Sequence, residues 1–305
     1  MGALRHDMRL MPKIVHLRRS VLYVPASNEK ALAKSASLAC DAVIFDLEDA
    51  VAPEEKDAAR ERLRVFLAGP DRPRCEIVIR INALSGAWGT EDFLAARASR
   101  PDAVLLPKVD TPRDILDADE ALDETDAPPG LRLWAMMETP RGLLNAGAIA
   151  ELGRDPAARL SCLVAGTNDL VKDTRLIPGE NRENLRPWLA QLVLAARAGN
   201  LTALDGVFND FGNETAFAAE CAQARALGFD GKTLIHPAQI AAANAAFAPT
   251  AREIAEAEAI VAEFTKPENR HRGVVAIGGR MVERLHLAEA EALLARAKQI
   301  EEKSR

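Results

Sequence analysis

Short apolar and β-branched runs recur along the chain. Each is followed by a turn and then by a longer stretch whose apolar positions keep helical spacing. The runs fall at residues 20–24, 42–45, 76–81, 103–106, 131–137, 161–165, 201–207 and 231–235. They predict eight strands. The stretches between and after them predict helices over 28–38, 53–67, 90–98, 112–122, 142–152, 183–198, 213–226 and 237–264. Ser27, Pro53 and the Thr111-Pro112 pair supply start signals for three of these. Eight strand–helix units in about 265 residues match a (β/α)8 TIM barrel. A doubly wound open sheet would show the same alternation but usually carries a glycine-rich first turn. Here that turn reads Val24-Pro25-Ala26-Ser27-Asn28, which favours the barrel. The expected organisation is an N-terminal extension over 1–17, a barrel over 18–264, and a C-terminal arm or lid over 265–305. In that last segment a loop carrying Gly273, Gly278 and Gly279 precedes a charged helix over 285–303.

Composition narrows the function class. The chain has 305 residues, of which 48% are hydrophobic and 28% charged, enough for a sizeable core. A net charge of −6 and only 4% aromatic residues argue against a nucleic-acid partner. No apolar run is long enough for a membrane span. The four cysteines (Cys40, Cys75, Cys162, Cys221) are far apart and unpaired in spacing, so neither a disulfide framework nor a zinc site is expected, and a cytoplasmic location fits. The start of the chain is basic but lacks the apolar core of a secretory signal.

Polar residues collect at the strand ends: Asp46-Leu47-Glu48-Asp49, Arg80-Ile81-Asn82, Pro107-Lys108, Glu138-Thr139-Pro140, Gly166-Thr167-Asn168-Asp169, Asp205 and His236-Pro237. In a barrel these ends share one face, where such enzymes hold their active sites. Caps and turns account for Asn28, Thr111 and Asn168, but Glu138 and Arg80 are poor caps that follow apolar runs. Glu138 and Asp169 end successive strands. Two carboxylates without histidine or thiolate nearby suit a hard cation such as Mg2+. His236 is either a cap at the barrel mouth or a ligand contact. Gly231-Lys232-Thr233 mimics the end of a phosphate-binding loop, but Ala226 stands where that motif needs glycine.

As a set, several motifs resemble the citrate lyase β-subunit-like and malyl-CoA lyase family. They are Arg19-Ser-Val-Leu-Tyr-Val-Pro25, Phe45-Asp-Leu-Glu-Asp49, Lys56 with Ala59-Arg60, Val78-Ile-Arg-Ile-Asn82 and Leu106-Pro-Lys-Val109. Further along come Met137-Glu-Thr139, Gly166-Thr-Asn-Asp-Leu170, Asp205-Gly-Val207, Gly228-Phe-Asp-Gly-Lys232 and Ile235-His-Pro-Ala-Gln239. The resemblance implies a Mg2+-dependent carbon–carbon lyase that cleaves or forms a 3-hydroxyacyl-CoA such as malyl-, citramalyl- or citryl-CoA. Its partners would be a CoA thioester and a small 2-oxo acid. By the family's pattern Glu138 and Asp169 are the metal ligands, and Arg80 binds the thioester or enolate oxygen. The backbone of Gly166, Thr167 and Asn168 receives the small acid, while Glu48 and Asp49 hold metal-bound waters with Lys56 nearby. The tail reads Met281-Val282-Glu283 where lyases of the family commonly have Asp in the third position. Glu283 is thus the expected acid or base, reaching a neighbouring subunit of a homotrimer or hexamer. An acyl-CoA thioesterase or synthase on the same site, a carrier-dependent citrate lyase β subunit, and a Schiff-base aldolase using Lys108 or Lys232 are the alternatives.

Overall fold

The computed structural model describes residues 16–155 and 157–304, so the expected N-terminal extension lies outside the described residues up to position 15. Eight parallel strands close into a barrel in sequence order: β1 (Ser20–Pro25), β2 (Ala42–Asp46), β3 (Glu76–Arg80), β4 (Ala103–Leu106), β5 (Arg132–Met137), β6 (Leu160–Ala165), β7 (Thr202–Asp205) and β8 (Gly231–Leu234). Closure is made by β1 pairing with β8, with Leu22 opposite Leu234. The strand boundaries agree with the sequence expectation to within two residues.

The helices are α1 (Glu29–Ser35), α2 (Lys56–Ala68), α3 (Gly89–Ala98), α4 (Pro112–Glu124), α5 (Pro140–Leu144), α6 (Ala146–Glu151), α7 (Thr167–Thr174), α8 (Arg186–Ala198), α9 (Glu214–Leu227), α10 (Ile240–Ala246), α11 (Ala251–Thr265) and α12 (Arg284–Ser304). Two cores follow from the period-2 geometry of the strands. Val21, Ala42, Ile44, Val78, Leu105, Trp134, Met136, Cys162, Val164 and Leu204 fill the barrel interior, with Tyr23 packed against them. The alternate positions, among them Val43, Phe45, Ile79 and Leu133, share the larger core with helix residues such as Leu63, Ile115 and Leu189.

Alternation also decides where the strand-end polar residues go. Asp205 is out of phase with Leu204 and joins a buried ion network away from the interior core. Its carboxylate meets Arg182 Nη1 at 2.7 Å and Lys232 Nζ at 2.6 Å, and Glu220 Oε1 lies 2.7 Å from the same ammonium. Burial alone would raise the Asp205 carboxyl, but the Lys232 and Arg182 cations outweigh it and hold the group below its ordinary value. The unfolded chain takes up this proton near pH 4, roughly the ordinary value, and the folded chain only at lower pH. Its contribution to stability is therefore complete above the ordinary carboxylate range and lost as pH falls through the folded value. Asp205→Asn is expected to cost about 3–5 kcal/mol at neutral pH. Its melting temperature should then decline less steeply than the parent's between pH 6 and 3, which thermal melts across that range will show.

The chain divides into two compact units, one spanning Arg18–Phe247 and one taking in the segment from Ala248 onward. The single helix expected over 237–264 is broken between α10 and α11. Pro249 lacks the N–H a helix interior needs, and Thr250 starts α11 with a reciprocal capping box to Glu253. Beyond α11 the expected loop contains a two-stranded hairpin, β9 (Val274–Ile277) and β10 (Arg280–Glu283). Its turn is Gly278-Gly279 at φ +56° and +78°, the left-handed pair that a two-residue hairpin loop requires. Within this unit the Arg284 guanidinium lies 5.6 Å from the centroid of the buried Phe264 ring. Glu283 ends β10 with an exposed side chain, and its backbone N–H donates to His286 Nδ1 at 2.9 Å.

Candidate active site

A cavity of about 360 Å³ opens at the C-terminal ends of the strands, lined by residues of β1, β2, β3, β5, β6 and β8 and of the turns that follow β2, β5, β6, β7 and β8. Arg80, Glu138, Asp169, Asp49, Gly166, Thr167 and Asn168 all line it. Most of the site residues expected from sequence therefore converge.

Arg80 ends β3 in phase with Val78 and points into the barrel. Asp46, in phase with Ile44 on the neighbouring strand, grips it with two bonds, from Nε at 2.8 Å and Nη2 at 2.6 Å. Asp46 also accepts the backbone N–H groups of Glu48 and Ala50, so one carboxylate fixes both the arginine and the turn carrying Glu48 and Asp49. Arg80 Nη1 then reaches Glu48 Oε2 at 2.8 Å and Asp49 Oδ2 at 3.6 Å. The first is an ion contact without hydrogen-bond alignment, since Glu48 Oε2 has no hydrogen-bond partner. Burial would pull the guanidinium down, but Asp46 and its other anionic neighbours push it well above its ordinary value. Arg80 is a permanent cation.

Lys56 is buried below this turn. Its ammonium donates to the carbonyls of Leu47 and Glu48 and to Asn82 Oδ1, at 2.8, 2.7 and 3.0 Å. Asn82 is held in turn by Asp92, which also pairs with Arg60. Burial lowers the Lys56 ammonium from its ordinary value. Lys56 thus braces the backbone that presents Glu48.

Glu138 follows β5 and is 1% exposed. Its Oε1 accepts the Lys108 N–H at 2.8 Å, and its Oε2 is buried without a partner. Burial, with Glu48 nearby, pushes this carboxyl up to about 8, and burial together with the nearby Asp49 carboxylate pushes Glu48 up to about 7. Two carboxyls so placed lack a positive partner beyond Arg80 and Lys108. A divalent cation would supply one. Among the described residues no group of three or more His, Cys, Asp or Glu side chains is arranged to hold a metal. Two carboxylates with the remaining positions left to water and substrate is the usual donor set for magnesium. The carboxylates of Glu138 and Asp169, which both line the cavity, fit that donor set.

Gly166 makes the close approach possible. A Cβ there would lie 2.2 Å from Glu138 Cβ. Its own N–H goes to the Met137 carbonyl. The first-turn N–H groups of Thr167 and Asn168 at the start of α7 have no acceptor among the described residues, and such groups attract carboxylates. Asn168 pairs side chain to side chain with Asn209. Gly166→Ala is expected to cost about 1–3 kcal/mol in stability through overpacking. By displacing Glu138 it should also weaken magnesium binding by about 10–100-fold, measured by calorimetry.

Other sequence expectations resolve differently. His236 caps the short turn Pro237–Gln239, accepting the Ala238 N–H, and stacks on Phe211 at 4.6 Å. Lys232 is fully buried in the Asp205 network. Lys108 is half-exposed, 3.7 Å from Glu48. Partial burial would lower its ammonium, but Glu48 and Glu138 outweigh that and raise it, the opposite of what a Schiff-base lysine needs. Tyr23 and Met136 line the cavity without having been singled out from sequence, and so does Asp46, noted there as a strand-end polar residue without a role.

The description HpcH/HpaI aldolase/citrate lyase fits residues 19–237, the stretch that builds the barrel and its cavity. The chain belongs to this family. A (3S)-malyl-CoA thioesterase of Cereibacter sphaeroides is 46% identical over 285 residues, 93% of this chain and 96% of that one. The citrate lyase subunit beta of Escherichia coli is 34% identical over 293 residues, 94% of this chain and 96% of its own. Among solved structures, Mycobacterium tuberculosis CitE in complex with magnesium, acetoacetate and coenzyme A superimposes with a TM-score of 0.72 at 31% identity, covering 92% of this chain and 97% of that chain.

Proposed function

We propose that this chain is a magnesium-dependent enzyme of 3-hydroxyacyl-CoA thioesters, with malyl-CoA as the substrate class. The observation that carries it is Glu138: a buried carboxylate with one unpartnered oxygen, beside Asp169 and facing the same cavity as a fixed arginine. When bound, magnesium supplies Lewis-acid polarisation of the oxygen on the 2-hydroxy or 2-oxo acid portion. Arg80, held by Asp46, offsets negative charge on the thioester oxygen. The free N–H groups of Thr167 and Asn168 take the acid's carboxylate, with Gly166 giving room. Glu48 and Asp49 orient waters, and Lys56 keeps their backbone in place.

Two net reactions start from this arrangement. Water attacking the thioester gives malate and free CoA; breaking the carbon–carbon bond gives acetyl-CoA and glyoxylate. The higher identity to the malyl-CoA thioesterase than to the citrate lyase subunit favours hydrolysis. The carbon–carbon lyase is the second reading, supported by the acetoacetate, magnesium and coenzyme A in the CitE complex. Incubation with (3S)-malyl-CoA and Mg2+, with thiol and glyoxylate measured together, separates them. Thiol release without glyoxylate is expected; glyoxylate with acetyl-CoA establishes the lyase, and no turnover of any CoA ester refutes both.

Glu283 supplies the acid or base from an adjacent chain of a homotrimer or hexamer in this reading. Glu138→Ala and Glu283→Ala variants, each inactive alone, should then regain part of the parental turnover after subunit exchange. A Glu283→Ala variant with parental turnover removes that role and leaves a solvated charge worth under about 1 kcal/mol.

A further inference from the structure

Two hydrogen-bond donors in the cavity wall converge on one poor acceptor. The Tyr23 hydroxyl donates to Met136 Sδ at 3.6 Å, and Arg80 Nη1 donates to the same sulfur at 3.9 Å. All three side chains line the cavity. A thioether is a weak acceptor, whereas a buried tyrosine usually finds a strong one for its hydroxyl. Tyr23 has no other hydroxyl partner among the described residues. The Arg80 guanidinium lies 5.0 Å from the centroid of the Tyr23 ring, a cation–π contact that ties the two donors together. Its Nε and Nη2 are committed to Asp46, while Nη1 faces both the Met136 sulfur and, at 2.8 Å, the Glu48 carboxylate.

We propose that the Tyr23 hydroxyl and Arg80 Nη1 together receive the thioester oxygen as it gains negative charge, the Met136 sulfur holding both donors in line while the site is free. Tyr23 is then a catalytic residue alongside Arg80. Carbon–carbon cleavage moves the electron pair of the breaking bond into the acyl group, and the thioester oxygen becomes that of an enolate. Hydrolysis places the charge on the same oxygen when water adds to the carbonyl. In both cases the phenol, protonated at neutral pH, donates a hydrogen bond and keeps its proton. The step needs no further reactant. A neutral donor paired with a fixed cation, both set before the reaction, costs no reorganisation when the charge appears. The assignment rests on the CoA-thioester reading above but not on which of the two net reactions occurs.

Tyr23 is the only tyrosine in the chain, so protein labelled with ¹³C at tyrosine Cζ gives a single phenol resonance. With Mg2+ present, acetyl-CoA should shift it. Tyr23→Phe keeps the ring against Arg80 and removes only the hydroxyl. It should lower kcat on malyl-CoA by about 100-fold while KM stays within a few-fold and the melting temperature stays near the parent's. A purely structural tyrosine would change the melting temperature and leave kcat alone. If calorimetry shows acetyl-CoA binding while the resonance stays still, the assignment is overturned and the CoA reading stands. A Tyr23→Phe variant with parental kcat has the same meaning. If no CoA thioester binds the parent protein, the CoA reading fails and the assignment falls with it. Should the variant not fold, the labelled parent decides alone.

Discussion

Glu138→Ala abolishes magnesium binding in the expected outcome and lowers turnover by about a thousandfold or more, the several kcal/mol that a Lewis acid contributes at such a site. Folding should survive. The side chain makes one hydrogen bond, to the Lys108 N–H, and leaves its second oxygen buried and unpartnered. Removing it relieves an uncompensated buried polar atom, so the melting temperature should hold or rise. Lost metal binding in a fold at least as stable as the parent marks a functional rather than a structural carboxylate. Glu138→Gln is the sharper probe, because its amide oxygen still accepts from Lys108 while the charge is gone. Asp169→Ala should lose the metal in the same way. Calorimetric titration with MgCl2 decides: parental affinity in both alanine variants removes the assignment.

The barrel was legible because parallel strands buried on both faces read as short continuous apolar runs. Each run from 20–24 to 231–235 sits on a strand. α7 was not legible. Of its eight residues only Leu170 and Val171 are apolar, and its first turn consists of the polar residues Thr167, Asn168 and Asp169 that line the cavity. The β9–β10 hairpin left a trace in Gly278-Gly279, but its strands are short and only Val275 is buried, so no alternation stood out.

At the site, the residues found from sequence were those following an apolar run. The ones overlooked, and Asp46, which was noted without a role, obey a rule the sequence already contained. Inward positions alternate, so Tyr23 shares the phase of Val21, Asp46 that of Ala42 and Ile44, and Met136 that of Trp134, all of which belong to or pack against the interior core or line the cavity. Asp205, one step from Leu204, has the opposite phase. Its strand-end position alone had grouped it with the others. Phase, not merely the end of a run, separates a cavity residue from a helix-side ion pair. What phase could not supply was the partner: nothing in the local sequence says that Asp46 holds Arg80 from the next strand.

That partnership sets the other large effect. Arg80→Lys is expected to lower kcat by about 10²–10³-fold with folding close to normal. Lysine keeps a positive charge in the cavity but loses the planar fork. Arg80 uses two nitrogens for Asp46, and its third faces Met136 and the Glu48 carboxylate at the cavity wall. An ammonium on a flexible stem can satisfy Asp46 or face the substrate, and the buried carboxylate is the stronger attractor. The positive charge would therefore retreat from the reacting oxygen by a distance of order 1 Å, which is enough to cost about a hundredfold. KM should move less than kcat, because the interaction grows as charge develops on the thioester oxygen rather than in the bound ground state. Steady-state kinetics of Arg80→Lys on malyl-CoA test this, beside a melting curve as the control for folding. Parental kcat in a normally folded variant would reduce Arg80 to the structural partner of Asp46.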